Sequence, residues 1–417
     1  MREELRWPIT ASAISGCGPL GCLLTGTLAV SMRDDLRFDH GQLGIALAAG
    51  FGLGGLLGLP GGRLTDRLGW RRGACLSATL SLGALLTIAA LARTPGHLVA
   101  CLLLSGGAIS VGIPSAALLI STRIPLERRG RAFGFNQSSV PVTTLLAGAS
   151  VPALALTVGW RWCFVVAAAW PLATIALALT APDERARPAP TARPGLGTLA
   201  GDPALLLVSA GGALGMLGVG SLNAFFVVGA VDAGLGDAFV GVLVAVASVG
   251  GIALRLGVGA AADRHGASDF GHVAVLLAVG ATGFGLVAVG LEPTIVLGAL
   301  LCYSAAWGYS GLMMFLVVRE WHHAPGAATG FANQGLALAA ALGPFGFGAV
   351  VGPLGYAASW GLVAALDLSG AALLLAGRRA LRNRVAGHDS SGSALDSERW
   401  SGVQSLTRDY SSESMST

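Results

Sequence analysis

The sequence predicts an all-α membrane protein of twelve transmembrane helices in two pseudo-symmetric six-helix bundles. Three observations predict it. Hydrophobic residues fill 53% of the 417 positions and charged residues only 12%, about half the charged share of a soluble domain. Twelve apolar stretches, each near the ~20 residues that a bilayer core requires, can be laid along the chain. A loop signature also occurs twice, 197 residues apart. Gly62-Arg63-Leu64-Thr65-Asp66-Arg67-Leu68-Gly69 returns as Gly259-Ala260-Ala261-Ala262-Asp263-Arg264-His265-Gly266, with Gly, Asp, Arg and the last Gly in register. Each copy closes a glycine-rich apolar run, as a duplicated six-helix unit would leave it.

In order, helices 1 to 6 are expected over 8–32, 43–62, 73–92, 97–121, 132–157 and 162–181. Helices 7 to 12 follow over 204–231, 238–260, 271–290, 294–318, 327–352 and 357–377. The domains are then an N-terminal bundle (1–181), a cytoplasmic linker (182–203), a C-terminal bundle (204–384) and a disordered cytoplasmic tail (385–417). Pro182, Pro188, Pro190, Pro194 and Pro203 suit a linker, since proline resists a helix interior. The tail is rich in Ser and poor in large apolar residues, too little to build a core. A second repeat supports the duplication: Gly130-Arg131-Ala132-Phe133-Gly134-Phe135-Asn136-Gln137 resembles the stretch from Gly326 to Gln334. These segments open helices 5 and 11.

Helix 2 carries Gly50, Gly54, Gly58 and Gly62, one every four residues. Such a stripe lets a neighbouring helix approach backbone to backbone. Its equivalents in helix 8 are Ala247, Gly251, Arg255 and Gly259, so an arginine stands where helix 2 has Gly58.

All 26 basic residues are Arg. With the N-terminus inside, 21 of them fall on inner segments or the tail and four, Arg33, Arg37, Arg93 and Arg161, on outer loops. The positive-inside rule puts both termini in the cytoplasm, and the expected location is the cell inner membrane. This topology accounts for the net charge of +4 without a nucleic-acid partner. The expected partners are the lipid bilayer and a small-molecule substrate, for a chain acting as a monomer. The first apolar stretch reads as a retained helix. Cys17, Cys22, Cys75, Cys101, Cys163 and Cys302 form neither a metal spacing nor a disulfide framework, so no metal and no cofactor is expected. No paired carboxylates and no nucleophile with its base stand out, which argues against an enzyme.

Arg71 and Arg72 extend the first loop copy to G-x-x-x-D-R-x-G-x-R-R. In this it resembles the major facilitator superfamily, whose diagnostic sequence has this form between helices 2 and 3. The resemblance covers about residues 8–380 in helix count and spacing. It implies a transporter that binds a small solute between its halves and carries it by alternating access. It also implies a gating role for Gly62, Asp66, Arg67, Gly69, Arg71 and Arg72, with Asp66 latching onto the start of helix 11. Asp263 and Arg264 would do the same against helix 5. A carboxylate at a helix N-terminus gains about 0.3–1 kcal/mol.

Arg255 is the basic residue inside an expected span, about 12 Å along helix 8 from Asp263. A charge there faces a cavity or a partner. The spacing Arg255, Gly259, Asp263 resembles monocarboxylate and oxalate carriers of the superfamily, which implies that Arg255 binds an anion; the alternative is a brace between the domains. Arginine's planar fork matches a carboxylate with two hydrogen bonds. With Asn223, Tyr303 and Trp307 on helices 7 and 10, Arg255 makes up the expected substrate site, for a small, monocarboxylate-like organic anion. Asp232 and Asp367 are the candidates for proton coupling, since helices 1 to 6 carry no Asp or Glu in their interiors. One alternative is an exporter of drugs or metabolites. Against it, helix 4 has Leu102 and Leu103 before Gly106 and Gly107 where the family's second pattern places an Arg four residues before a glycine. Helix 5 has Ser139-Val140-Pro141-Val142-Thr143 in place of the antiporter signature G-P-x-x-G-G. Another alternative is a non-transporting sensor that reuses the fold, which a tail without a signalling domain disfavours.

Overall fold

Lipid offers the backbone no hydrogen-bond partner, so an apolar chain that crosses it must pair its own N–H and C=O groups, and a helix does so within one segment. The computed structural model describes the backbone of residues 3–181, 201–265, 269–322 and 325–413, without the side chains of 3–5, 126–127, 130–131, 133–134, 256, 258–265, 325–327 and 384–413. Among these residues every regular element is helical. Helix 1 runs over Glu3–Thr27 and Ala29–Leu36, helix 2 over His40–Leu56 and 58–68, helix 3 over 70–91 and helix 4 over Pro95–Arg123. Helix 5 comprises Leu126–Gln137, Ser139–Ser150 and a wide turn at Val151–Ala155, and helix 6 comprises Trp160–Ala167 and Ala169–Leu179.

The second half repeats the plan. Helices 7, 8 and 9 span Pro203–Asp232, Asp237–His265 and Phe270–Val289. Helix 10 joins Glu292–Leu301 to Trp307–Glu320 through a wide turn at Cys302–Ala306. Helices 11 and 12 fill 325–354 and 356 onward. Ten continuous stretches are long and apolar enough to cross a membrane. One of them, Ala328–Asn383, turns at Gly355 and so contains two crossings. Helix 2 is split at Leu57, its second part leading into helix 3. The described residues thus hold all twelve helices.

The reversals between helices 2 and 3 and between helices 11 and 12 each turn on one glycine. Gly69 has φ 78° and ψ 160°, and Gly355 has φ 75° and ψ 171°, a region of backbone space almost reserved for glycine. Side-chain caps start other helices: Asp39 accepts from the Gln42 N–H, Thr94 from His97, Asp202 from Ala204 and Leu205, and Asp269 from Gly271. Each satisfies N–H groups left open at a helix start. Asp202 stands at the end of the linker; residues 182–200 lie outside the described residues. The backbone stays helical through 385–413, where composition led to the expectation of disorder. No proline follows Pro353, and extending a helix adds one bond per residue without a new nucleus.

We call the face that carries residues 62–72 the motif face. Towards the other face the bundles meet through small residues. A Cβ on Gly26 of helix 1 would run into the Asn223 carbonyl of helix 7. One on Gly44 of helix 2 would lie 2.5 Å from the Pro344 oxygen of helix 11, and one on Gly148 of helix 5 would lie 2.7 Å from the Gly241 oxygen of helix 8. Small residues bring membrane helices within such reach.

The helix 2 stripe does not act as a single packing surface. Gly50 packs on Cys22 and Leu102, and Gly54 on Ile109 and the Gly106 carbonyl, all within the N-terminal bundle. Gly58 has nothing within 4 Å of its Cβ position, and Gly62 only Pro114 at 4.0 Å. Leu57 breaks the register (φ −85°, ψ 1°), so that Gly61, one place from the stripe, meets the Ser110 carbonyl.

Candidate substrate site between the bundles

Among the described residues, the close packing between the bundles lies toward the face opposite the motif. Two polar contacts bridge the bundles where the close packing ends. Gln334 of helix 11 donates through Nε2 to the Gly55 carbonyl of helix 2 at 3.2 Å. Arg255 of helix 8 donates through Nη1 to the Gln137 carbonyl of helix 5, also at 3.2 Å. Gln137 and Gln334 are the matched ends of the second sequence repeat, though one accepts through its backbone and the other donates through its side chain.

Arg255 is half-buried. Its Nη2 donates to the Trp307 carbonyl at 2.6 Å, and its guanidinium carbon lies 5.4 Å from the centre of the Trp307 ring, within cation–π range. It therefore ties helix 8 to helix 10 within its own bundle and to helix 5 of the other. This is the bracing geometry that the sequence offered as the alternative to anion binding. Yet Arg255 Nε and Trp307 Nε1 are both buried without a hydrogen-bond partner. Among the described residues nothing accepts from either donor.

The structure thus brings together two of the four expected substrate-site residues. Tyr303, in the wide turn of helix 10, is buried edge-on against Phe226 with ring centres 5.7 Å apart. Asn223 sits at the helix 1 contact, its Oδ1 buried without a partner. No hydrogen bond among the described residues joins either to the Arg255–Trp307 pair.

A cavity of about 420 Å³ has Ile9, Phe135, Ser139, Val142 and Trp170 of the N-terminal bundle and Ile252 of helix 8 in its lining, but neither Arg255 nor Trp307. One helical turn separates Ile252 from Arg255. The lining is almost wholly apolar; Trp170 spends its N–H on the Ala13 carbonyl at 2.9 Å, and the Ser139 hydroxyl is buried without a partner. The sequence reading missed these residues, because aromatic, serine and aliphatic positions on helices 1, 5 and 6 look like ordinary packing until the helices are assembled. A second cavity, of about 480 Å³, continues past Trp170 between helices 1, 5 and 6, from Leu20 to Leu154.

Of the expected gating residues, Asp66, Arg67 and Arg72 are exposed, and no ion pair of Asp66 occurs among the described residues. Arg71 donates to the Leu179 carbonyl at 2.6 Å, tying the start of helix 3 to the end of helix 6. Gly62 and Gly69 stand as described above. The side chains of Asp263 and Arg264 lie outside the described residues. The two proton-coupling candidates differ: Asp232 pairs with Arg33 at 3.7 Å on the closed face, whereas Asp367 is fully buried with neither oxygen hydrogen-bonded. Among the described residues no cluster of His, Cys, Asp and Glu has the makings of a metal site.

The Major Facilitator Superfamily profile matches residues 13–344. The chain is also 28% identical over 348 residues to a chloramphenicol resistance protein of Streptomyces lividans, covering 81% of this chain and 86% of that one. Twelve helices, the duplicated loop and the bundle contacts agree with this match over most of the sequence: the chain belongs to the Major Facilitator Superfamily and is a multi-pass membrane transporter.

Proposed function

We propose that the protein exports a mainly apolar organic compound bearing a hydrogen-bond acceptor, by alternating access between its bundles. The observation that carries this reading is the apolar cavity between helices 1, 5 and 6 that reaches helix 8 at Ile252, one helical turn from Arg255 and its open Nε. Apolar walls with a few placed polar groups are the usual make-up of a small-molecule site. The similarity to a chloramphenicol resistance protein supports a drug-like substrate, and export is the direction in which a transporter lowers the level of a drug inside the cell. The arginine bias supports a cytoplasmic motif face, so the cavity would be loaded from inside.

A second reading is favoured by the arginine itself. A small organic anion would take both open donors, and its charge would offset the guanidinium. Thermal-shift screening of the purified protein separates the two. Chloramphenicol and uncharged analogues should stabilise it more than lactate, pyruvate or oxalate, and cells expressing it should accumulate less labelled chloramphenicol. Stabilisation by the carboxylates alone would overturn export of an apolar compound in favour of an anion.

A further inference from the structure

Asp367 lies about 16 Å along helix 12 from its start at residue 356, near the middle of the bilayer. It is fully buried, and neither carboxylate oxygen has a hydrogen-bond partner. The face that meets it is bare: a Cβ on Gly218 of helix 7 would lie 2.8 Å from its Oδ1 and 3.2 Å from the Phe284 ring of helix 9. Between residues 203 and 231 helix 7 has no titratable side chain. Helix 9 has only His272, at its end. From helix 10, Cys302 and Tyr309 lie within electrostatic reach, but neither is a cation and Tyr309 spends its hydroxyl on the Gly212 carbonyl at 2.6 Å. Among the described residues no guanidinium or imidazole stands by to offset a charge.

An ionised carboxylate in such a place, dry and unpaired, costs several kcal/mol. The neutral acid does not bear that cost. We propose that Asp367 is a proton-binding site, and that its proton holds the face opposite the motif closed. Losing the proton to water turns the carboxyl into a carboxylate and changes no other bond. The charge must then be hydrated or leave, and the seam between helices 7 and 12 at Gly218 has to open. Helix 7 also shares in closure, with helices 8, 11 and 12. Asn223 meets Gly26 of helix 1, Phe225 meets His40 of helix 2 with ring centres 6.3 Å apart, and Asp232 pairs with Arg33. Moving helix 7 at Gly218 therefore acts on all three contacts.

This inference rests on the alternating-access reading, but its test needs no substrate, so a wrong substrate class leaves it standing. Infrared spectra of the full native chain in lipid should contain the C=O stretch of a protonated carboxyl at neutral pH. The stretch should be absent from Asp367→Asn and should fade in the native chain only at alkaline pH. In parallel, Asp34→Cys and Gly236→Cys would carry spin labels on the closed face, with the native cysteines replaced. The label distance should lengthen on alkalinisation and stay short in Asp367→Asn, which keeps the shape of the neutral acid. The same infrared spectrum with and without Asp367 overturns the proton site. Equal lengthening in Asp367→Asn overturns its hold on closure.

Discussion

Arg33 and Asp232 face each other at 3.7 Å across the two bundles, one at the end of helix 1 and the other at the end of helix 7. Their neighbours also come from both halves. The Tyr356 hydroxyl of helix 12 lies 3.4 Å from His40 Nδ1 of helix 2, and their rings stand edge to face, 5.6 Å apart. The pair therefore acts on the balance between closed and open forms more than on folding.

Both side chains are about two-fifths exposed, and an ion pair this wet contributes about 0.2–1 kcal/mol. Arg33→Ala or Asp232→Asn should shift the balance toward the open form by up to about fivefold. Reversing the charges together, Arg33→Asp with Asp232→Arg, should restore it. Spin-label distances across this face would read both effects. Equal distances in the single variants and the native chain would reduce the pair to surface decoration.

Acid should loosen the same face. Burial and then the charge of Arg33 hold the His40 imidazole below its usual range, against the opposing pull of Asp232 and Asp39. Closure thus favours neutral His40. That contribution is fully present above the ordinary imidazole value of about 6.5 and is lost as pH falls through the depressed one. His40→Gln should abolish the acid-induced lengthening while leaving any alkaline effect intact.

Gly26→Val should block closure, because its side chain would occupy the space of the Asn223 carbonyl. Overpacking of this kind costs about 1–3 kcal/mol. Membrane insertion should be unaffected, and transport of labelled chloramphenicol should slow at least severalfold. Transport at the native rate would mean that helices 1 and 7 separate without loss.

Asp66 is exposed and has no ion pair among the described residues, so Asp66→Asn should leave ligand affinity and thermal stability unchanged here. Turnover should fall by about tenfold if the motif-face latch is worth about 1.4 kcal/mol in the other form. Measuring binding and turnover on the same preparation checks this; parallel losses in both would point to misfolding.

The fold was legible because its determinants are local and repeated. Span length, arginine placement and the 197-residue offset each constrain the chain without knowledge of any contact. Even the turns at Gly69 and Gly355 sit where apolar runs end. The site was legible only in part. A charged residue inside a span is conspicuous, so Arg255 and its neighbour Trp307 could be picked out. The cavity could not, since Ile9, Val142 and Trp170 differ from core residues only in what lies opposite them. His40 and Tyr356 escaped for a similar reason: 316 residues separate them, and loop histidines look solvated until a partner is placed beside them. The glycine stripe held for Gly50 and Gly54 but not for Gly58 and Gly62, because periodicity records where side chains are absent and Leu57 changes which glycines face a neighbour.

Gly58 gives the stripe a different meaning. In a close-packed protein, a glycine with nothing near its Cβ position has no steric reason to be glycine in that form. Should the motif side come together in a second arrangement, the bare stretch of helix 2 below Leu57 would let another backbone slide over it. Stability and function should part company there: a larger residue at position 58 would leave the present form as stable as before and deny the protein its other half-cycle.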